Sequence, residues 1–456
     1  MNTADYVNYY RNQAGGGLGG LAGGAVMYGA GLGGLFRGLF RMAVPLLKRG
    51  FSIAKPHLKS AAKNIAADVV SNALSRAYNG DPKAQGGSGL MVMARKRTPN
   101  GGDIPDPAKV ALINYPGATI FSQVDVSLGD RLISQSSSTY PYRCIIESLL
   151  NYSKDALESL FSAGLFFKDT AGHMDETDPV GRNAGLTKRS LYTTGSKVVE
   201  LLAPIHSDIF FQEKLMLNGV DIKIRMIRGK DEFCLMSDDA YKLNIVSASL
   251  FVKKVSVSPS VRLAHAQALL STTAKYPIDR VCLKNFSIPA GSRVSNQENL
   301  FLGTLPKSIV LAMVDNDAFT GSYEKNPFTF KHYDLEFLAV YVDGQQFPAK
   351  PLQPDFTSGS AVREFYQLAT ATGRHLKNQP LSINRDDFLK GYSLYAFNLT
   401  PDEDCGQHIS LIKSGNIRLE ARFRQPLPHT INLVVYAVFD SIIEVSNRRQ
   451  VLVDYY

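Results

Sequence analysis

The side chains best placed to do chemistry lie in three short acidic stretches. His173 stands with Asp175, Glu176 and Asp178, an imidazole and three carboxylates within six residues. Such a set could ligate a hard cation or pass a proton. Asp402, Glu403 and Asp404 run into Cys405, and Asp231-Glu232 and Asp238-Asp239 form two further acidic doublets. The His173 stretch is polar and turn-rich, which points to a solvated loop. Three consecutive acids converge on an ion only when a turn aims them. The eight histidines are scattered, and none sits at ligand spacing with another His or Cys. Cys144, Cys234, Cys282 and Cys405 stand far apart without a C-x-x-C, against a thiolate zinc site or a disulfide framework and in keeping with a reducing compartment. P-loop, H-E-x-x-H, G-x-S-x-G and EF-hand patterns are missing from the sequence. No nucleophile, base and orienter form a set. The expectation is a non-enzyme without metal or cofactor.

Charge divides the chain. Of the 456 residues, 1–110 carry 14 Lys/Arg and 5 Asp/Glu, while the remainder carry 36 of each. A basic leader is therefore joined to a neutral body. Twelve of the 37 glycines fall between Gly15 and Gly38, where no charge interrupts from Arg11 to Arg37. Too few strongly apolar residues lie there for a membrane span of about 20 residues. The two G-x-G-x-x-G matches neither follow a strand nor open a βαβ unit. A flexible glycine-rich linker is the reading that remains. From Leu35 apolar residues crowd together at helical spacing, beside Arg37, Arg41, Lys48, Arg49, Lys55, Lys59 and Lys63. An amphipathic helix over about 35–78 follows, suited to phosphates, to a membrane surface over 35–77, or to the body itself. Arg95-Lys96-Arg97 reads as a basic cluster in a linker, available to the same contacts.

Beyond residue 110 the pattern turns to short strand-like runs with few helices. Ile120–Leu128, Val198–Leu202, Ile222–Ile227, Ile245–Val257, Val281–Ile288, Ile309–Val314, Leu335–Val342, Ile417–Phe423 and Ile431–Phe439 read as strands. Tyr142–Tyr152, Ala156–Phe166, Val261–Leu270 and Val362–Ala371 read as helices. Strand, tight turn, loop and helix recur: Phe121–Leu128 with Gly129-Asp130 precedes the first helix, and Leu335–Val342 with Asp343-Gly344 precedes the last. That echo predicts two similar β-sandwiches in tandem, joined near Ala266–Tyr276.

Several runs carry a family likeness: FSQVDVSLGDRLIS (Phe121–Ser134), TYPYRCIIESLLNY (Thr139–Tyr152), KDTAGHMD (Lys168–Asp175), DIFFQEKLMLNGVDIKIRMIRGKDEFCLM (Asp208–Met236), AKYPIDRVCLKNFSIPAG (Ala274–Gly291) and INLVVYAVFDSIIEV (Ile431–Val445). With SLFVKKVSVSPSVRLAHAQAL (Ser249–Leu269), VDNDAFTGSYEKNPFTFKHYDLEFLAVYVDGQQFPAKPLQPDF (Val314–Phe356) and KGYSLYAFNLTPD (Lys390–Asp402), they span roughly 119–456. This stretch resembles the double jelly-roll, hexon-like major capsid proteins of Polinton/adintovirus-type virus-derived elements. The likeness implies a mainly β fold: a glycine-rich, partly helical leader over 1–109, a first jelly roll over 110–270 and a second over 271–456, with short helices in loops. It further implies a trimeric capsid shell subunit, found in the virion and assembled in the host nucleus or cytoplasm, with minor capsid proteins as partners. The loops His173–Leu191 and Phe347–Ser360 are expected to clasp neighbouring subunits. Relatives carry a longer strand-bearing segment ahead of FSQVDVSL, where this chain has only KVALINYPGAT (Lys109–Thr119), so the first roll is expected to lack its opening strands.

The leader separately resembles the small basic minor core or membrane-lytic proteins of adenovirus-like particles, through GGLFRGLFRMAVPLLKRG (Gly33–Gly50). That likeness implies DNA contact, or bilayer disruption as the alternative. It also implies protease cleavage after Gly24 and Ala30, in LAGG and MYGA. A carbohydrate-binding or hydrolytic β-sandwich is the other class considered, disfavoured by the lack of Trp.

Overall fold

The computed structural model describes residues 89–105, 108–212, 214–375, 378–400 and 413–453. The leader helix, Gly24, Ala30 and the Asp402–Cys405 cluster lie outside these residues.

Strands appear where β-branched and aromatic residues recur. In the first half these are β1 (Gly89–Arg97), β2 (Val110–Leu112), β3 (Phe121–Leu128), β4 (Arg131–Leu132), β5 (Val199–Ala203), β6 (Ile222–Arg228), β7 (Leu235–Ser237) and β8 (Lys242–Phe251). The second half holds β9 (Ala274–Ile288), β10 (Val294–Gln297), β11 (Leu302–Thr304), β12 (Ser308–Asp315), β13 (Leu335–Val342), β14 (Gln345–Leu352), β15 (Leu394–Asn398), β16 (Ser414–Phe423), β17 (Ile431–Val445) and β18 (Val451–Val453). Helices are fewer. Those that matter below are α1 (Tyr140–Asn151), α2 (Ala184–Thr193), α3 (Pro259–Ser271) and α4 (Val362–Ala371).

The second half forms two antiparallel sheets. One runs β9-β17-β12-β15, with β18 paired to the far end of β17; the other runs β10-β16-β13-β14, with β11 also on β16. Eight strands shared between two four-stranded sheets in this order make a jelly roll. β12 reads SIVLAMVD and is buried from Ile309 onward, on both of its faces. A strand covered on both sides needs an unbroken apolar run rather than alternation. The first seven residues of β17, INLVVYA, are buried in the same way.

The first half repeats part of this plan. Its sheets run β8-β1-β5 and β6-β3-β4, beside a small β2-β7 pair. In chain order, β1, β3, β4, β5, β6 and β8 occupy the places of β12, β13, β14, β15, β16 and β17. Counterparts of β9 and β10 do not occur among the described residues. The hairpins match too. Gly129 takes φ of 57° between β3 and β4, and Asp343-Gly344 take φ of 50° and 79° between β13 and β14. Positive φ at both central residues of the second suits the twist of a two-residue hairpin, and in the first the glycine at the leading position supplies the positive φ.

Three expectations are corrected here. Residues 95–97 are not linker: they end β1, the central strand of its sheet. β1 is held there by nine-residue pairing with β8 and by β5 on its other side. Phe347–Leu352 is not loop but part of β14, with Val340 opposite Phe347. The His173–Leu191 stretch is loop only to Asn183, whose side chain caps α2 by accepting from the Leu186 N–H. In each case pairing with a distant strand, or a cap, overrode a locally polar or proline-bearing sequence.

Candidate functional site, the seam between the two sandwiches

The densest buried chemistry lies where the halves meet. α1 is buried along its length up to Leu150, although its sequence, YPYRCIIESLLN, carries Arg143 and Glu147. Four-residue spacing puts both on one helical face. Arg143 Nε donates to Glu147 Oε1 at 2.8 Å, and an Nη donates to Asp208 Oδ1 at 2.5 Å. The other Glu147 oxygen meets His206 Nδ1 at 2.7 Å. Second-half residues complete the network. Tyr436 of β17 donates from its hydroxyl to Glu147 at 3.4 Å, and the Val281 N–H of β9 donates to Asp208 at 3.3 Å. Beside it, Gln135 forms a two-point clasp with β9: its amide donates to Leu283 O and accepts from Leu283 N–H, both at 2.6 Å.

Burial and charge pull these groups in opposite senses. Burial works to discharge Arg143, but Asp208 and Glu147 outweigh it and hold the guanidinium charged beyond its ordinary range. Burial likewise opposes Glu147, yet Arg143 and His206 hold its carboxyl below the usual range. Asp208 goes the other way: burial pushes it up against the pull of Arg143.

A second ionic knot ties the loop before α2 to the other half. Arg189 is wholly buried. Its guanidinium donates to Leu112 O at 2.8 Å, Phe167 O at 2.7 Å and Asp169 Oδ1 at 2.7 Å. The remaining Asp169 oxygen accepts from Asn326 at 3.0 Å, and the Asp169 carbonyl accepts from the Tyr392 hydroxyl at 2.8 Å. Lys168 pairs with Asp387 at 2.5 Å. Gly185 permits this close approach, because a Cβ there would stand 2.6 Å from the carbonyl oxygens of Phe167 and Lys168.

Of the acidic stretches singled out in the sequence, the His173 group comes nearest to a site. His173 Nδ1 lies 2.9 Å from Glu176, which also pairs with Arg182 at 3.1 Å. Asp175 meets Lys331 at 3.2 Å, and Lys331 reaches Asp315 at 2.8 Å. His173, Asp175, Glu176, Arg182 and Lys331 line an open cleft of about 610 Å³ with His332 and Tyr333. The carboxylates are thus matched by cations of this chain. No group of three or more His, Cys, Asp or Glu among the described residues is arranged to hold a metal. Asp231 pairs with Arg228, and Asp238 lies 3.9 Å from Lys109.

Asp315 yields a pH prediction. It is buried and accepts from Lys331 and, at 2.8 Å, from the Tyr333 hydroxyl, and it pairs with His429. Burial raises its pKa, but these partners outweigh burial and hold the carboxyl below its ordinary range. A depressed carboxylate adds stability above its unfolded pKa of about 3.9 and loses it as pH falls through the lower folded value. Melting temperature should therefore drop between about pH 4 and the folded pKa. Asp315→Asn should flatten that slope in calorimetric scans, and an unchanged slope would remove Asp315 from the account.

The expected contact residues of the leader, Arg37, Arg41, Lys48, Arg49, Lys55, Lys59 and Lys63, lie outside the described residues. Arg95, Lys96 and Arg97 do not form an open cluster. Lys96 is buried and donates from Nζ to Val110 O at 2.7 Å, while Arg97 pairs with Asp103. The seam residues Arg143, Glu147, Arg189 and Asp169 are not among those that the sequence singles out. Their signal was an Arg and a Glu four apart inside an otherwise apolar helix, a placement that burial makes costly unless the two are paired.

No family model matches the chain. An uncharacterized protein of Caenorhabditis elegans is 25% identical over 368 residues, covering 77% of this chain and 85% of its own. Among solved structures, the Sputnik virophage cryo-EM structure aligns with a TM-score of 0.48 and 12% identity over 80% of this chain and 81% of that one. The mavirus major capsid protein aligns at 0.43 and 11% identity, over 80% and 83%. The Faustovirus major capsid protein aligns at 0.43 and 8%, over 78% of each chain. The structural neighbours of this chain thus include virus major capsid proteins, and its own strand order makes it a mainly β protein of jelly-roll type.

Proposed function

We propose that the chain is a structural subunit of a virus-type capsid shell. One observation carries the reading. The same six-strand order occurs in two sandwiches of one chain, and buried ion pairs lock the sandwiches side by side. A container needs rigid, repeated blocks, and ionic groups neutralised inside a seam are suited to holding blocks in fixed orientation. The motif likeness over roughly 119–456 to Polinton/adintovirus-type hexon-like capsid proteins supports the same conclusion. Residues 1–88 are the leader of this proposal and face inward, the first roll runs from β1 at Gly89 to about 270, and 271–456 form the second. The leader binds packaged DNA through Arg37, Arg41, Lys48, Arg49, Lys55, Lys59 and Lys63, by neutralising phosphates without reading sequence. Its work is non-enzymatic, its place is the virion, and its partners are further copies of itself and minor capsid proteins.

Purified full-length chain should run in native mass measurement as trimers of three 50.0 kDa copies and give regular trimers or shells by electron microscopy. Monodisperse monomers at micromolar concentration would overturn the proposal. Dye leakage from anionic liposomes, with no retention of DNA, would instead assign the leader to membranes.

A further inference from the structure

The two sandwiches differ in one place, and the difference leaves a shaped vacancy. In the second, β9 lies along β17 through fifteen consecutive residue pairs, and β10 pairs with β16. In the first, the equivalent strands β8 and β6 have no outer neighbour among the described residues. Both are edges.

Exposure follows from this. Leu250 stands opposite the buried Leu90, and Ile222 opposite the buried Leu128, so both lie on the core-facing side of their sheets. Yet Leu250 is 47% exposed and Ile222 is 42% exposed, whereas Val434 of β17 and Leu419 of β16 are fully buried. Val246 and Val252 stand half exposed beside Leu250. The core of the first sandwich is open along the side that β9 and β10 close in the second.

We propose that these two edges dock an acidic β-ribbon of two strands, one joining each sheet, supplied by another polypeptide. The second sandwich gives the dimensions: a long strand, a five-residue turn and a short strand, as in Ala274–Gln297. Edge N–H and C=O groups without a partner among the described residues provide the ladder, and alternate apolar side chains of the ribbon enter the open core. Charge selects the partner. β6 carries Lys223, Arg225 and Arg228, of which Lys223 and Arg228 already face Asp130 and Asp231, and the stretch from Lys242 through Lys254 carries three lysines and no acid. Self-pairing of these edges between two copies sets cation against cation. The basic leader carries the same sign as the edges. An acidic ribbon meets none of this repulsion.

The test uses full-length protein and two synthetic 24-residue peptides. One has the sequence of Ala274–Gln297 with Cys282→Ser. The other adds Lys275→Glu, Arg280→Glu, Lys284→Glu and Arg293→Glu. In the free protein, amides of 222–228 and 242–251 should exchange with deuterium far faster than those of β16 and β17. The acidic peptide should slow them, bind at least tenfold more tightly than the basic one, and lose that advantage in high salt. A Leu250→Glu/Ile222→Glu variant, altering only half-exposed side chains, should lose binding at least tenfold. Edges already protected in the free chain would mean that its own leader or a second copy covers them, with concentration dependence separating the two, and would overturn the proposal. Equal binding of both peptides, or none, would overturn it as well. Failure here leaves trimer and shell formation untouched, so the two readings fall separately.

Discussion

Arg143→Met should cost the folded chain about 3–5 kcal/mol, the range for removing one partner of a buried ion pair. The side chain of Arg143 is 7% exposed, and its guanidinium meets both Glu147 and Asp208. Methionine keeps the volume but leaves two carboxylates facing each other where water cannot reach. They respond by taking up a proton, so the loss should be greater at pH 7 than at pH 5. Because the network joins α1 of one sandwich to β9 and β17 of the other, the damage should also show as reduced cooperativity. Urea unfolding followed by tyrosine fluorescence should split into two transitions. The triple replacement Arg143→Met, Glu147→Gln, Asp208→Asn removes every charge of the set and should recover most of the stability, since neutral groups of similar shape avoid the desolvation penalty. A single variant within 1 kcal/mol of the parent would mean that the seam is held by apolar packing alone.

β3, β12, β13, β16 and β17 were readable in the sequence because apolar runs or alternation identify them without help from neighbours. The recurrence of strand, Gly- or Asp-containing turn and helix was readable too. In the structure it is the β3-β4 hairpin followed by α1 and the β13-β14 hairpin followed by α4. β1 and β14 were not readable. GLMVMARKR ends in three cations, and QQFPAKPL holds two prolines; both become strands only because partners distant in sequence complete their ladders. The seam was hidden for a related reason. Asp208, Asp169 and Asn326 are ordinary loop residues until a guanidinium from elsewhere in the chain reaches them, and no local pattern encodes that meeting.

Affinity of the full-length chain for duplex DNA should fall about 10³–10⁴-fold between 50 and 200 mM salt, because each neutralised phosphate contributes about −0.9 to the slope of log affinity against log salt. The proposed contacts are Arg37, Arg41, Lys48, Arg49, Lys55, Lys59 and Lys63, and seven phosphates give a slope near −6. Arg95, Lys96 and Arg97 do not enter this sum. They sit in β1, where Lys96 is spent on the Val110 carbonyl and Arg97 on Asp103. The body beyond residue 110 is neutral in formal charge, so it adds no long-range attraction of its own. Replacing the seven leader cations with Gln in the full chain should bring the slope near zero, while Arg95→Gln should leave it unchanged. Scrambled and native DNA sequences should bind alike, since phosphate contacts carry no base information. A slope shallower than about −3, or a slope unaltered by the seven replacements, would place the DNA contact elsewhere or remove it. Trimer formation measured on the same Gln variant should not change, because the proposal gives assembly to the two rolls and DNA contact to the leader.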